Sequence, residues 1–164
     1  PVEGFLDSIG VCTHLLGPSR RELTMMKEAG IRHLRDEISW AWVERAKDKL
    51  QIPAEREAWV NEAALQRIDV LLILNYGNPI YMDQGIGSAK TPDRDFELFG
   101  RYVDFVVGHF KDRVQRWEIW NEPNGFGLNA MYGGDWRGGG WVGPMPAWPT
   151  PACAAFAQST RARW

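Results

Sequence analysis

The chain has 164 residues, 45% hydrophobic and 24% charged, with a formal net charge of -2. That is the balance of one ordinary globular domain, or of a piece of a larger one. It lacks the basic excess that a nucleic-acid or anionic-membrane partner asks for, and no apolar run reaches membrane-spanning length. The unusual feature is tryptophan, present nine times.

In chain order, residues 7–14 (DSIGVCTH) read as a short β-rich run, followed by a turn at LLGPS. A helix then starts at Ser19, with Glu22 three residues on completing a capping box. Leu23, Met25 and Met26 give it an apolar stripe, and Gly30 sits where a glycine ends a helix. A second strand is expected from Ile31 to about Asp36. The segment 53–68 carries Pro53 near its first turn. Ala58, Val60, Ala64, Leu65 and Ile68 form a rough helical stripe there. Val70 to Leu74 is a continuous apolar run, as expected of a strand covered on both faces.

A third long helix is expected with Thr91 as N-cap and Pro92 as its first residue. Phe96, Phe99, Val103, Val106 and Phe110 recur on one side. RVQRWEIW then makes a fourth strand that ends at Asn121. The order β-α-β-α-β-α-β predicts an α/β fold with a parallel sheet and helices outside it.

After Gly125 the composition turns to Gly, Trp and Pro, and no Asp, Glu or Lys follows Asp135. Residues 1–143 are read as one unit. Residues 144–164 are read as a Pro- and Ala-rich tail of the kind a truncated or frameshifted end produces. Cys12 and Cys153 have no metal or redox spacing, and whether they pair is left open. No two histidines stand at metal-ligand spacing, so neither metal nor cofactor is expected. No signal peptide is read at Pro1, and the compartment stays open.

The chemistry concentrates at RWEIWNEPNGFG, residues 116–127. In parallel α/β folds ligands bind beyond the carboxyl ends of the strands, which is where this stretch places Asn121 and Glu122. Pro123 holds the residue before it in an extended conformation, so Glu122 stands on a preset backbone. A carboxyl group among Trp117, Trp120 and Phe126 is partly desolvated, which favours the protonated form that a general acid needs. A single Glu at a strand end is more often an ordinary solvated carboxylate. The surrounding W-x-x-W-N-E-P-N frame is what sets this one apart.

WEIWNEPN resembles the strand-4 motif of the clan of retaining (β/α)8-barrel glycoside hydrolases that contains families 5 and 39, whose members include cellulases and xylosidases. The phrase EAGIRHLRDEISWAWVE resembles the strand-2 region of the same clan. The resemblance covers about residues 5–127, and its specific part is the fourth-strand motif. It implies a TIM barrel of which this chain holds the first four βα units. It further implies hydrolysis of O-glycosyl bonds in plant-type oligo- or polysaccharides, with Glu122 as acid/base and Asn121 on the sugar 2-hydroxyl. Arg35 matches the clan's arginine that lies deep in the site and supports the nucleophile. The clan's nucleophile is a Glu on strand seven, and no Glu follows Glu122 here. The expectation is therefore an N-terminal half-barrel, inactive alone, whose partner would be the missing C-terminal half-barrel. Family association favours an extracellular or periplasmic place.

Other candidates for substrate contact are His14 at the end of the first strand, Asn75 with Tyr76 and Asn78 at the end of the third, and the aromatics Trp40, Trp120 and Trp136. Tyr81, Phe126, Tyr132 and Trp141 are further ring candidates, because sugar C–H faces stack on aromatic rings. Asp36 and Glu37 either pair with Arg35 or line the sugar site. His33 is expected inside its strand, and His109 as a partner of a helix C-terminus. Two other functions are weighed against the glycosidase: a non-catalytic carbohydrate-binding module using the aromatic loops, and the product of a broken gene.

Overall fold

The structure, a computed structural model, describes residues 9–13, 18–81 and 96–121. Its elements are β1 (Gly10–Cys12), α1 (Arg20–Glu28), β2 (His33–Ser39), α2 (Trp40–Val43), α3 (Ala54–Leu65), β3 (Asp69–Asn75), α4 (Phe96–Phe110) and β4 (Arg116–Ile119). The four strands form one sheet in the order β1-β2-β3-β4, and every pair is parallel. Each strand thus lies beside its predecessor, with at least one helix between. A doubly wound sheet instead reverses its strand order near the middle. Steady winding in one direction is what four consecutive units of a (β/α)8 barrel require, so the expected partial barrel is met.

Local chemistry explains the helix ends. The Ser19 hydroxyl accepts from the Glu22 N–H at 3.3 Å, and the Ser19 N–H donates to the Glu22 carboxylate at 2.6 Å, closing the predicted capping box. At the other end Gly30 has φ 80, its N–H donates to Lys27 O, and the Ile31 N–H donates to Met26 O. Two reversed bonds around a left-handed residue make a Schellman motif, which is why a glycine stands there. α3 ends the same way, with Arg67 at φ 59 between Ala64 O and Ala63 O bonds, but without a glycine.

One sheet face packs on the helices. Leu34, Ile38, Val70, Leu72, Leu74 and Trp117 join Leu23 of α1, Trp59, Val60 and Ala63 of α3, and Phe99, Tyr102, Val103, Val106 and Phe110 of α4 in a single buried core. Burying each such side chain contributes about 1.5–3 kcal/mol. Three expectations change. β2 runs on to Ser39 instead of stopping near Asp36, because its hydrogen-bonded register with β3 continues to the Ser39–Asn75 pair. The buried face of α3 is Arg56, Trp59, Val60 and Ala63 at helical spacing, whereas Ala58, Ala64 and Leu65 are exposed, Leu65 by 78%. A short helix, α2, follows β2 where no element was expected. The helix start at Thr91 and Pro92, the 1–143/144–164 division and Cys153 lie outside the described residues.

Candidate functional site

Side chains alternate across a strand, so the residues between the core positions face the opposite side of the sheet, the barrel interior. Strand register groups them in layers. Cys12, Arg35, Leu71 and Arg116 share one level. Glu37, Ile73 and Glu118 share the next, towards the C-terminal ends, and Ser39 and Asn75 follow. Polar groups on this face satisfy one another across the strands.

Arg35 is the centre of that network. Its Nε donates to Glu118 Oε2 at 2.8 Å and its Nη2 to Glu118 Oε1 at 2.7 Å, a bidentate pair that spans β3. Nη2 also donates to Asn121 Oδ1 at 3.0 Å, and Nη1 to Cys12 Sγ at 3.2 Å. One guanidinium therefore ties β1, β2 and β4 to Asn121, two residues past the end of β4. The hydrogen bonds it donates to Glu118 push the Arg35 pKa further above its already high value, with burial opposing, so Arg35 stays a cation.

Two strand ends leave the sheet in an unusual conformation. Tyr76, directly after β3, has φ 63, and Trp120, directly after β4, has φ 71. Left-handed backbone at a bulky residue costs roughly 1–2 kcal/mol. The Trp120 N–H donates to Leu74 O at 2.8 Å, and the two rings meet edge to face at 6.0 Å, which holds both turns. These turns set where Asn121 is presented.

The sequence candidates fare unevenly. Arg35 and Asn121 are brought together. Trp40 is fully buried. Its ring stacks between Tyr81 and Tyr102 and its Nε1 donates to Glu44 at 2.7 Å, so it is a core residue and not a platform for sugar. Trp120 is corrected likewise: it is 2% exposed and packs on Tyr76 and Phe99. Tyr81 gives its hydroxyl to Glu44 and its ring to Trp40. Asn75 is fully buried, with Nδ2 donating to Glu37 Oε2 at 2.8 Å. Its Oδ1 has no partner among the described residues. In that pair Glu37 is the half-exposed member. Asn78 is buried and donates to the Glu44 carbonyl at 2.7 Å, a turn role.

Asp36 does not pair with Arg35. It points to the helix side, where it accepts from the Thr13 hydroxyl at 2.6 Å and from the Glu37 N–H at 2.7 Å. Burial raises its pKa. His33 lies in β2 as expected, 3.6 Å from Asp69. His109, in the last turn of α4, meets Glu57 of α3. Glu122, His14, Trp136, Phe126, Tyr132 and Trp141 lie outside the described residues.

Two residues escaped sequence reasoning. Glu118 sits inside the motif, and a carboxylate in mid-strand, partly withdrawn from water, was itself a signal that a cation meets it. Glu44, 1% exposed, accepts from Trp40 Nε1, the Asp48 N–H and the Tyr81 hydroxyl, and fastens the loop after α2 to α4 through Arg101. Among the described residues no group of His, Cys, Asp and Glu is placed to hold a metal.

No protein-family model and no curated protein matches this sequence. Solved structures do. A family 39 glycoside hydrolase from Bacteroides cellulosilyticus WH2 superposes with a TM-score of 0.64 at 22% identity, over 95% of this chain and 29% of that one. An enzyme from Alicyclobacillus herbarius gives 0.59 at 23%, over 87% and 33%. A Pseudomonas stutzeri endoglucanase, solved with cellobiose, gives 0.56 at 20%, over 94% and 42%. The chain spans less than half the length of each of these structures. At such identities the likeness speaks to architecture alone: this chain has the fold of four consecutive βα units of a (β/α)8 barrel, the architecture of the glycoside hydrolases it superposes on.

Proposed function

We propose that the chain carries the acid/base half of a retaining glycosidase site, acting on O-glycosyl bonds of plant-type oligo- or polysaccharides. The observation that supports this reading is the Arg35–Asn121 contact at the carboxyl end of β4, one residue before Glu122. Glu122 gives its proton to the leaving oxygen as the glycosidic C–O bond breaks, while a second carboxylate attacks the anomeric carbon. Glu122 then takes a proton from the water that cleaves the glycosyl-enzyme bond. In such pairs the carboxyl groups lie roughly 5–5.5 Å apart. Asn121 holds the sugar 2-hydroxyl, a bond that strengthens as charge develops at the neighbouring carbon. On this reading the second carboxylate comes from the strands that complete the barrel beyond the four described here.

Among the described residues the sheet ends at β1 and β4, and the reading takes these two edges as the places where further strands close the barrel. The alternative of a carbohydrate-binding module loses Trp40 and Trp120 as stacking surfaces, since both are buried.

The test combines binding with turnover. Titration with methyl β-glucoside and xylobiose, followed by backbone NMR, is expected to show millimolar binding centred on Asn121 and Glu122, abolished in Asn121→Ala. Nitrophenyl glycosides are expected to survive the chain alone. Binding untouched by both Asn121→Ala and Glu122→Ala would instead mark a binding module. Turnover by the chain alone that vanishes in Glu122→Gln would show that the second carboxylate is already present.

A further inference from the structure

We infer that Glu118 and Arg35 form a positioning pair that fixes which end of the Asn121 amide meets the ligand. The inference rests on the sugar-site reading for its ligand and on geometry for its mechanism. An asparagine amide has two nearly isosteric ends, an acceptor oxygen and a donor NH2, and an unsupported amide turns freely between them. Arginine has only donors. Whatever atom of Asn121 faces Arg35 Nη2 at 3.0 Å must therefore be the oxygen. The amide sense is dictated by its neighbour's chemistry.

Arg35 is in turn held by Glu118, an acceptor-only carboxylate when ionised, through two bonds of 2.7 and 2.8 Å. With the Cys12 contact, four of the five guanidinium N–H groups are engaged. The guanidinium plane cannot swing without breaking several bonds at once. The polarity runs one way along the chain of contacts, from carboxylate to guanidinium to amide oxygen. Its free end is Asn121 Nδ2, to which no acceptor is bonded among the described residues. Asn121 as a residue is partly exposed. The site presents a hydrogen-bond donor to a ligand oxygen, with its direction set two residues away.

Sequence parity makes the arrangement possible. Arg35 and Glu118 both face the barrel interior, one layer apart, and β3 between them offers the aliphatic Leu71 and Ile73 at those levels. Neither of these side chains competes for the guanidinium.

The experiment uses the whole 164-residue chain with Glu118→Gln, which is isosteric but binds a guanidinium weakly, and Arg35→Lys, which keeps the charge but lacks the planar fork. 15N relaxation of the Asn121 side-chain amide reports its order. The affinity ratio of methyl β-glucoside to its 2-deoxy analogue reports whether a donor faces the 2-hydroxyl, which loss of fold stability alone would not change. Expected are an ordered amide and about a fivefold preference for the 2-hydroxyl sugar in the parent. Both variants should show a mobile amide and a ratio near unity. An amide that stays equally ordered in both variants overturns the positioning role. If the parent binds neither sugar, or does not distinguish them, the sugar reading fails and amide order still decides the positioning role. Should Glu118→Gln not fold, Arg35→Lys gives the same two readouts.

Discussion

Arg35 on β2 reaches over β3 to grip Glu118 on β4 with two parallel hydrogen bonds. The side chains are 28% and 34% exposed, so solvent screens the attraction in part. A double-mutant cycle with Arg35→Met and Glu118→Gln should give a coupling of about 1 kcal/mol, on the low side of buried bidentate pairs. The coupling should shrink as salt is raised. A coupling indistinguishable from zero in urea unfolding at low salt would mean that the pair only arranges the site and adds nothing to stability.

Glu44 presents the opposite situation, a carboxylate 1% exposed with donors on every side. Glu44→Gln keeps the shape but turns one acceptor into an NH2 that must face either Trp40 Nε1 or the donors gathered at Oε1, the Asp48 N–H and the Tyr81 hydroxyl. A donor set against a donor in a dry site costs about 2 kcal/mol. The urea midpoint should fall accordingly, and the near-ultraviolet dichroism of the Trp40–Tyr81 stack should weaken. An unchanged midpoint would show that water reaches Glu44.

Much of this architecture was written in short-range signals. Ser19 with Glu22, Gly30, the apolar run Val70–Leu74 and the spacing of Phe99, Val103, Val106 and Phe110 each act locally, and each gave its element. What stayed hidden depends on partners distant in sequence. Trp40 and Trp120 stand near strand ends, which makes them candidates for substrate contact. They are buried because α4 and the residues after β3 fold over them, which no local pattern reports. α3 misled for a related reason. Val60 and Ile68 of the expected stripe are buried, but the face turns towards Trp59, Ala63 and Arg56, a charged residue that is 2% exposed and lies 4.2 Å over the Trp42 ring, so Ala58, Ala64 and Leu65 fall outside it. The Arg35–Asn121 contact joins residues 86 positions apart, and only the parallel register brings them together.

The paired helix ends of α1 and α3 allow a controlled comparison. Gly30 and Arg67 occupy the same left-handed position, φ 80 and φ 59, in the same bonding motif. A Cβ at Gly30 would meet nothing within 4 Å, so Gly30→Ala adds backbone strain without a clash; the stiffer unfolded chain offsets part of it, leaving a net cost of about 0.5–1 kcal/mol. Arg67→Gly relieves that strain but frees the unfolded chain, leaving a net gain of about 0.5 kcal/mol. Opposite shifts of the two unfolding midpoints are expected. Shifts of the same sign would mean that the Arg67 side chain makes a contribution its backbone conceals.

Asp36 sets a pH dependence whose sign can be worked out. Burial raises its pKa above the usual 3.8, against the hydrogen bonds from Thr13 and the Glu37 N–H and the positive charge of Arg56. The folded chain therefore holds this proton more tightly than the unfolded chain does. An acid of this kind contributes most to stability below its unfolded pKa, and that contribution is lost as pH rises through the folded value. Asp36→Asn mimics the protonated form: its oxygen can accept from the Glu37 N–H and its NH2 can donate to the Thr13 hydroxyl. The Arg56 charge is already included in the net upward shift, so removing the carboxylate does not reverse the sign. Urea midpoints measured from below pH 4 upward should show the parent losing stability relative to Asp36→Asn, with the difference level once pH has passed the folded value. A parent that gains on the variant over that range would mean that Arg56 needs the Asp36 charge more than burial opposes it.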